Sequence, residues 1–451
     1  MASADFFPHT QDQLAELVSE VLKVARQRGA SDCAAEVSEG SGLSVSVRKG
    51  QVETIEQNRD KGLGVTVYLG QRKGHASTSD FSRKALHDTV QAALDIARYT
   101  AEDECAGLPD ADVIERAPRD LDLFHPWPIQ APEAIALARR AEASAFAVAP
   151  AISNSEGASV TAQHSQFMLA NSRGFLGGYP YSRHSLWVAP IAKQGQDMQR
   201  DDWYSSERDS ARLADPEALG RYAAQRALAR LGARKLSTRT CPVLFEAPLA
   251  TGLLGALVQA LSGGALYRRS SFLLDSLGQQ VLASHVNLEE NPNLRGASGS
   301  APFDEEGVRT QARQVVRRGV IQGYFLSSYS ARKLGMKTTG NAGGSHNLRL
   351  SSEMTAPGDD FAAMLKRMGT GLLVTELMGQ GVNYVTGDYS RGASGYWVEN
   401  GVIAYPVEEV TIAGNLKQML QQIVAIGSDE IVRGTKKTGS ILIESMTLAG
   451  N

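Results

Sequence analysis

Residues 248–267 read PLATGLLGALVQALSGGALY, and RRSSFLLDSLG follows at once. Leu249, Leu253, Leu254, Leu257, Val258 and Leu261 recur mostly at intervals of three and four, the period of a helix buried along a broad stripe. Nothing in the stretch titrates before Tyr267. Its length invites comparison with a membrane span. However, Gly252, Gly255, Gln259 and the run Ser262-Gly263-Gly264 leave about fourteen residues of helix, a core length. The stretch is therefore expected to be a core helix, and its lack of donor side chains bears directly on function.

Just upstream, CPVLFEA (241–247) reads as a strand, and the basic tract ARKLSTRT (233–240) marks a domain boundary near residue 236. At 451 residues the chain is too long for one core. Two domains are expected, 1–235 and 236–451. In the first, Thr10 and Gln13 have capping-box spacing ahead of an apolar face of Leu14, Leu17, Val18, Val21, Leu22 and Ala25. From Cys33 to Ser79 five short alternating pieces, AAEVSE, LSVSVRKG, QVETIEQN, LGVTVYLG and GHASTS, predict an antiparallel meander. Helices are expected at 82–99 and after Pro132, with a proline-rich connector between them. Strands resume at Val160 around a turn at Asn171-Ser172-Arg173-Gly174, and a helix over 216–232 closes the domain.

Downstream of the central helix the pattern is mostly strands: VNLEENPN, VRRGVIQGYFLS, GLLVTEL, GVNYVTGDYS, SGYWVENGVIAYPVEEVTIAG and GSILIESMTL, with one helix expected in NLKQMLQQIVAIG. Each half is thus expected to be α+β with antiparallel sheets and packed helices, the carboxy-terminal half strand-rich and barrel-like.

Composition narrows the functional classes. Hydrophobic content of 42% with 21% charged residues is that of a globular chain. With 46 basic against 49 acidic residues, the net charge of −3 gives no long-range pull toward nucleic acid or an anionic membrane. Cys33, Cys105 and Cys241 are few, odd in number and far apart, which argues against a disulfide framework or a cysteine zinc site. With no basic or apolar leader in MASADFFPHTQDQLAEL, a cytoplasmic location is expected.

Catalytic motifs are missing. A zinc hydrolase usually announces itself as His-Glu with a second histidine a turn later, and the chain contains no His-Glu dipeptide. Its eight histidines are scattered. Neither Gly-x-Ser-x-Gly nor a phosphate-binding glycine loop occurs, and Gly369-Thr370-Gly371 lacks a third glycine. The cysteines read as structural. The acidic run Asp304-Glu305-Glu306 reads as a solvated turn.

Several stretches carry a resemblance that runs nearly end to end. Among them are LDIARYT (94–100), DLDLFHP (120–126), RKLST (234–238), YRRSSFLLDSLG (267–278) and PFDEEGVRT (302–310). Others are SSYSARKLG (327–335), TTGNAGG (338–344), MGTGLLVTELMGQGV (368–382), TGDYSRGASGYWVENG (386–401) and EVTIAGNL (409–416). On these the chain resembles the TldD/PmbA family, once described as modulators of DNA gyrase, on its PmbA (TldE) branch. The resemblance implies a cytoplasmic metallopeptidase complex whose TldD-type subunit holds zinc with a His-Glu-x-x-x-His motif and a later cysteine. It also implies extended peptides and small unfolded proteins as substrates, including peptide-antibiotic precursors and an antitoxin. Laid on this chain, the motif falls on Gly255, Ala256 and Ala260, none of which can ligate a metal or act as a base. No cysteine follows Cys241.

The expectation is a chain with no catalytic residue, no metal and no cofactor of its own, paired with a zinc-bearing TldD-type partner. Strand edges over 372–412 would suit peptide capture by strand addition. The alternative is a homodimeric peptide-binding or regulatory protein without proteolysis.

Overall fold

The computed structural model describes residues 6–450. Helix α1 (Gln11–Gln27) starts at the expected capping box. Thr10 Oγ1 accepts the Gln13 amide at 3.2 Å, and Gln13 Oε1 accepts the Thr10 amide at 2.8 Å. Leu14, Val18, Val21, Val24 and Ala25 form its buried face.

The meander holds three strands where five short pieces were expected: β1 (Asp32–Arg48), β2 (Gln51–Leu69) and β3 (Arg72–Thr78). The residues that look like breaks lie opposite one another within a single ladder. Gly40 pairs with Asp60, Ser41 with Arg59 and Gly42 with Asn58. Helix α2 (Arg83–Tyr99) follows, capped by Ser82, then the proline-rich connector and α3 (Ala131–Phe146) with Pro132 in its first turn. Strands β4 (Ile152–Asn171) and β5 (Leu176–Gln194) flank the expected turn, where Gly174 takes φ +88° and Asn171 Oδ1 accepts the amides of Arg173 and Phe175. Then come β6 (Asp197–Arg200), β7 (Trp203–Glu207) and α4 (Pro216–Ala229).

The sheet order is β3-β2-β1-β4-β5-β6, with β7 beside β5. The buried residues of β1 share the odd positions of the pleat: Cys33, Ala35 and Val37 lie under α1 and α2, and Leu43, Val45 and Val47 under α3 and α4. A strand of this length spans roughly 55 Å, enough to carry two helix layers end to end on one face. The even positions, including Glu36 and Ser38, project from the opposite face.

The rest of the chain supplies β8 (Arg239–Phe245), α5 (Ala247–Ala260), α6 (Gly263–Tyr267), β9 (Val286–Glu290), β10 (Arg313–Arg317), β11 (Val320–Ile321), α7 (Ser328–Lys333) and β12 (Leu348–Ser352). Helix α8 (Phe361–Met368) precedes β13 (Gly371–Met378), β14 (Asp388–Glu399) and β15 (Val402–Asn415). Last come α9 (Leu416–Gln421), β16 (Ile423–Ile426), β17 (Ile431–Arg433), β18 (Lys436–Thr438) and β19 (Ile441–Ala449).

Strands run β15-β14-β13-β8-β19, and β19 returns to β15 through Thr411–Ala449, Ile412–Leu448 and Ala413–Thr447. The ring is a closed five-stranded barrel, with β16 beside β19. A further sheet runs β11-β10-β9-β12-β18-β17. Pairing in all the sheets is antiparallel except between β8 and β13 and between β12 and β18.

Two expectations need correction here. NLKQMLQQIVAIG is not one helix: α9 stops at Gln421, because the segment after it, with the branched residues Ile423, Val424 and Ile426, extends the ladder against β19. Barrel closure also pairs β13 and β14 on both sides, which narrows the free edge within 372–412 to β15 ahead of its Thr411–Ala413 contact with β19, where Arg234–Val407 is one bridge. Among the described residues, no helix is long and apolar enough to cross a membrane.

Candidate functional site

Helix α5 leaves β8 at Glu246 and packs Leu253, Leu254 and Leu257 into the core that Val243, Phe245, Leu372 and Val374 also enter. Its length and burial match the sequence expectation. Ala260 is fully buried, Ala256 is 5% exposed, and Gly255 is half-buried. A Cβ built at Gly255 would lie 3.7 Å from Cε of Lys436. The three positions lie on one helix, Ala256 and Ala260 in the hydrophobic core and Gly255 beside the Lys436 stem. Zinc does not fit these positions: none of the three side chains carries a nitrogen, oxygen or sulfur donor, and the charged residue beside Gly255 is the cation Lys436.

The remaining classical groups are engaged elsewhere. Cys33, Cys105 and Cys241 are buried free thiols. Burial, with a smaller contribution from Asp32, pushes Cys33 up to about 12, and burial also raises Cys241. Neither is a thiolate nucleophile. His164 and His184 lie ring to ring at 5.2 Å in an aromatic pocket, and burial with the neighbouring histidine holds His164 at about 4. His285 bonds Ser352 and the Ile423 carbonyl. Among the described residues, no three His, Cys, Asp or Glu side chains are grouped to hold a metal ion.

A different site forms where the uncovered face of the first sheet meets the loops at 301–305 and 342–346. It is a cleft of about 400 Å3. Glu36 comes from β1, Phe167 from β4 and Tyr179 from β5, while Phe303, Glu305 and His346 come from the other half. Phe167 and Tyr179 meet edge to face at 4.7 Å, and Phe303 lies 5.6 Å from Tyr179.

The acidic run was expected to be solvated, and Asp304 corrects that. It is 4% exposed, with Oδ1 accepting the amides of Glu306 and Val308 at 2.9 Å and Oδ2 accepting that of Ala342 at 3.0 Å. Burial, aided by Glu306, raises its pKa to about 7 despite those three donors. Asp304 thereby ties the acidic loop to the glycine-rich one. Glu305 lies across Gly343, where φ is +91° and a built Cβ would come within 2.5 Å of the carboxyl carbon. Only glycine allows that approach.

His346 is fixed by a buried carboxylate. Its Nδ1 lies 3.0 Å from Oε1 of Glu290, which also accepts the His346 amide at 2.8 Å, while Arg313 Nε donates to Oε2 at 2.8 Å. Burial would raise Glu290, but the His346 hydrogen bond and the Arg313 guanidinium outweigh it and hold the carboxyl at about 2. Arg208 enters the cleft with its guanidinium donating to three carbonyls, those of Ser182, Ala297 and Ser298. The sequence-level reading missed Glu36, Arg208 and His346 as a group. They are far apart in the chain, and TTGNAGGSHN was the one local signal near them.

The comparisons with known proteins agree with this architecture. Descriptions of PmbA/TldA metallopeptidase domain 1, central domain and C-terminal domain match residues 33–97, 124–231 and 238–450. The chain is 50% identical to "Metalloprotease PmbA" of Escherichia coli O157:H7, covering 97% of this chain and 96% of that one. It is 46% identical to "Metalloprotease PmbA homolog" of Haemophilus influenzae, covering 98% and 97%. A crystal structure from Bacteroides thetaiotaomicron, described as a candidate modulator of DNA gyrase, superposes with a TM-score of 0.90 at 26% identity, covering 97% of this chain and 98% of that one. The first two family domains share one continuous sheet here, and the third contains the barrel and α5. On these matches, the chain belongs to the PmbA/TldD metallopeptidase family.

Proposed function

We propose that this chain is the PmbA-type (TldE) subunit of a two-component cytoplasmic zinc peptidase acting on extended peptides and small unfolded proteins. In this reading a TldD-type partner brings the zinc, its ligands and the general base. The observation that supports it best is α5. A metallopeptidase-family chain has glycine and alanine where the partner's motif would stand, and two of these three positions are packed without room for donors. Chemistry therefore has to come from elsewhere, while the shell that orients a metal site can still be shared between chains. This chain's own contribution is the cleft surface and the rigid frame around it.

The test is cleavage of an unstructured peptide by the TldD-type chain alone, by this chain alone and by the mixture, with size-exclusion elution of each. The expected outcome is activity in the mixture only, with the two chains eluting together. Full activity from the TldD-type chain alone, with this chain eluting as a separate homodimer, would overturn the proposal and favour a peptide-binding protein without proteolysis.

A further inference from the structure

The cleft carries charges that the chain itself leaves unanswered. Among the described residues, neither Glu36 nor Glu305 has a cationic partner, although they come from opposite walls of the same cleft. Both stay open to water. The walls nevertheless crowd Glu36 enough to raise its pKa, and Glu305 raises it further. Two carboxylates on the walls of one cleft, neither of them in an ion pair among the described residues, attract a cation that arrives from outside.

The surroundings say what kind of cation fits. Phe167, Tyr179 and Phe303 form an aromatic wall, suited to an alkyl stem and to the cation–π attraction of its charged end. Two polar side chains, each only 8% exposed, also face the space. His346 is held through Nδ1 by Glu290, and its Nε2 has no hydrogen-bond partner among the described residues. Arg208 has no carboxylate partner among them. Each of its Nη atoms keeps one N–H beyond those given to the Ser182 and Ser298 carbonyls. A bare metal ion would answer the carboxylates but would leave the aromatic wall and Arg208 unused. A peptide answers all of them, because its carbonyls accept from Arg208 while a basic side chain reaches the carboxylates. The volume of about 400 Å3 lies within the range of roughly 300–1,000 Å3 usual for ligand sites.

We propose that this cleft binds a lysine or arginine side chain of an extended peptide, with Glu36 and Glu305 receiving the charge and Phe167, Tyr179 and Phe303 flanking the stem. The peptide as ligand rests on the function proposed above; the preference for a cation rests on the cleft alone.

The test is calorimetric titration of the full chain with three capped decapeptides, identical except for a central lysine, norleucine or glutamate. The lysine peptide is expected to bind about tenfold more tightly than the norleucine peptide, with glutamate weakest. The Glu36→Gln/Glu305→Gln double variant is expected to erase the lysine advantage while leaving norleucine binding unchanged. Lysine and norleucine affinities within twofold, or undetectable binding of all three, would overturn the proposal on the unaltered chain, whatever the variant does. Lysine binding seen only with an added divalent metal would overturn it too. Failure here beside intact co-elution and activation removes the cleft proposal alone. A lysine preference in a chain that neither joins nor activates a TldD-type protein removes the subunit proposal alone.

Discussion

Arg226 on α4 grips Glu246 at the mouth of α5 with two parallel hydrogen bonds, Nη1 to Oε1 at 2.7 Å and Nη2 to Oε2 at 3.1 Å. Asp201 approaches Nε at 3.3 Å, and the guanidinium lies 5.0 Å from the centre of the Trp203 ring. Arg230, the C-cap residue of α4, pairs with Glu376 on β13. The donor-free helix is thus bolted to the first sheet by a nearly buried ion network.

Lysine cannot reproduce that fork. Arg226→Lys is expected to destabilise the chain by about 2–3 kcal/mol, because it leaves the largely buried Glu246 carboxylate short of donors. It should also speed proteolytic nicking of the tract between α4 and β8. Urea unfolding with a loss below about 1 kcal/mol would show that the halves hold together without this contact.

Glu290 gives a prediction with a pH signature. Its folded pKa of about 2 lies below the ordinary 4.5, so the stability it contributes is complete above 4.5 and is lost as pH falls toward 2. Glu290→Gln is expected to cost about 3–5 kcal/mol at neutral pH, since the amide carries no charge for Arg313 and replaces one of the two acceptor oxygens with a donor facing Arg313 or His346. The variant's unfolding free energy should also fall less steeply than the parent's between pH 4.5 and 2. Parallel acid limbs for the two proteins would show that Glu290 does not titrate as described.

Local signals carried much of the fold. Thr10 and Gln13 announced α1, and the apolar spacing from Leu249 to Leu261 announced α5, because caps and helical periodicity are written in adjacent residues. What depends on a distant partner was not legible. Gly40 and Gly42 read as breaks until Asp60 and Asn58 lie opposite them. Ile423 to Ile426 read as helix until β19 is alongside. The donor-free positions Gly255, Ala256 and Ala260 were visible from residue identity together with the family resemblance. The cleft was not, since Glu36 and Glu305 are 269 residues apart and meet only when the two halves close on each other. Asp304 looked solvated because its three donors are backbone amides, which carry no residue signature.

Asp304 should titrate near neutrality. Its folded pKa of about 7 lies above the ordinary 3.8, so the stability tied to its protonated form is fully present below 3.8 and lost as pH rises through 7. Carboxyl carbon shifts in an aspartate-labelled sample are expected to show one group with a midpoint near 7, and Asp304→Asn should remove it. The substitution should also loosen the 342–346 loop, because an amide nitrogen facing the Ala342 amide would set donor against donor. Every aspartate titrating below pH 5 would count against this.

Writing the TldD-type motif into α5 tests whether that helix can become a metal site or is only a packed core element. Gly255→His, Ala256→Glu and Ala260→His together write in the pattern that the family resemblance implies for a TldD-type chain. Ala260 is fully enclosed and Ala256 nearly so, so two large polar side chains would enter a filled core, at about 1–3 kcal/mol of overpacking each before any desolvation. The new histidine at 255 would also project toward Lys436, whose charge opposes a dication. The triple variant is therefore expected to be markedly less stable and to hold no stoichiometric zinc after mild chelation, by elemental analysis. The same burial makes Ala256→Gln a poor neutral control and Ala256→Ser a better one. Ala256→Ser should leave the fold, and proteolysis by the mixed complex, nearly unchanged. One zinc per chain in a well-folded triple variant would mean that the donor set was all this helix lacked, and would weaken the case that the chain's part in the complex is to bind and to brace.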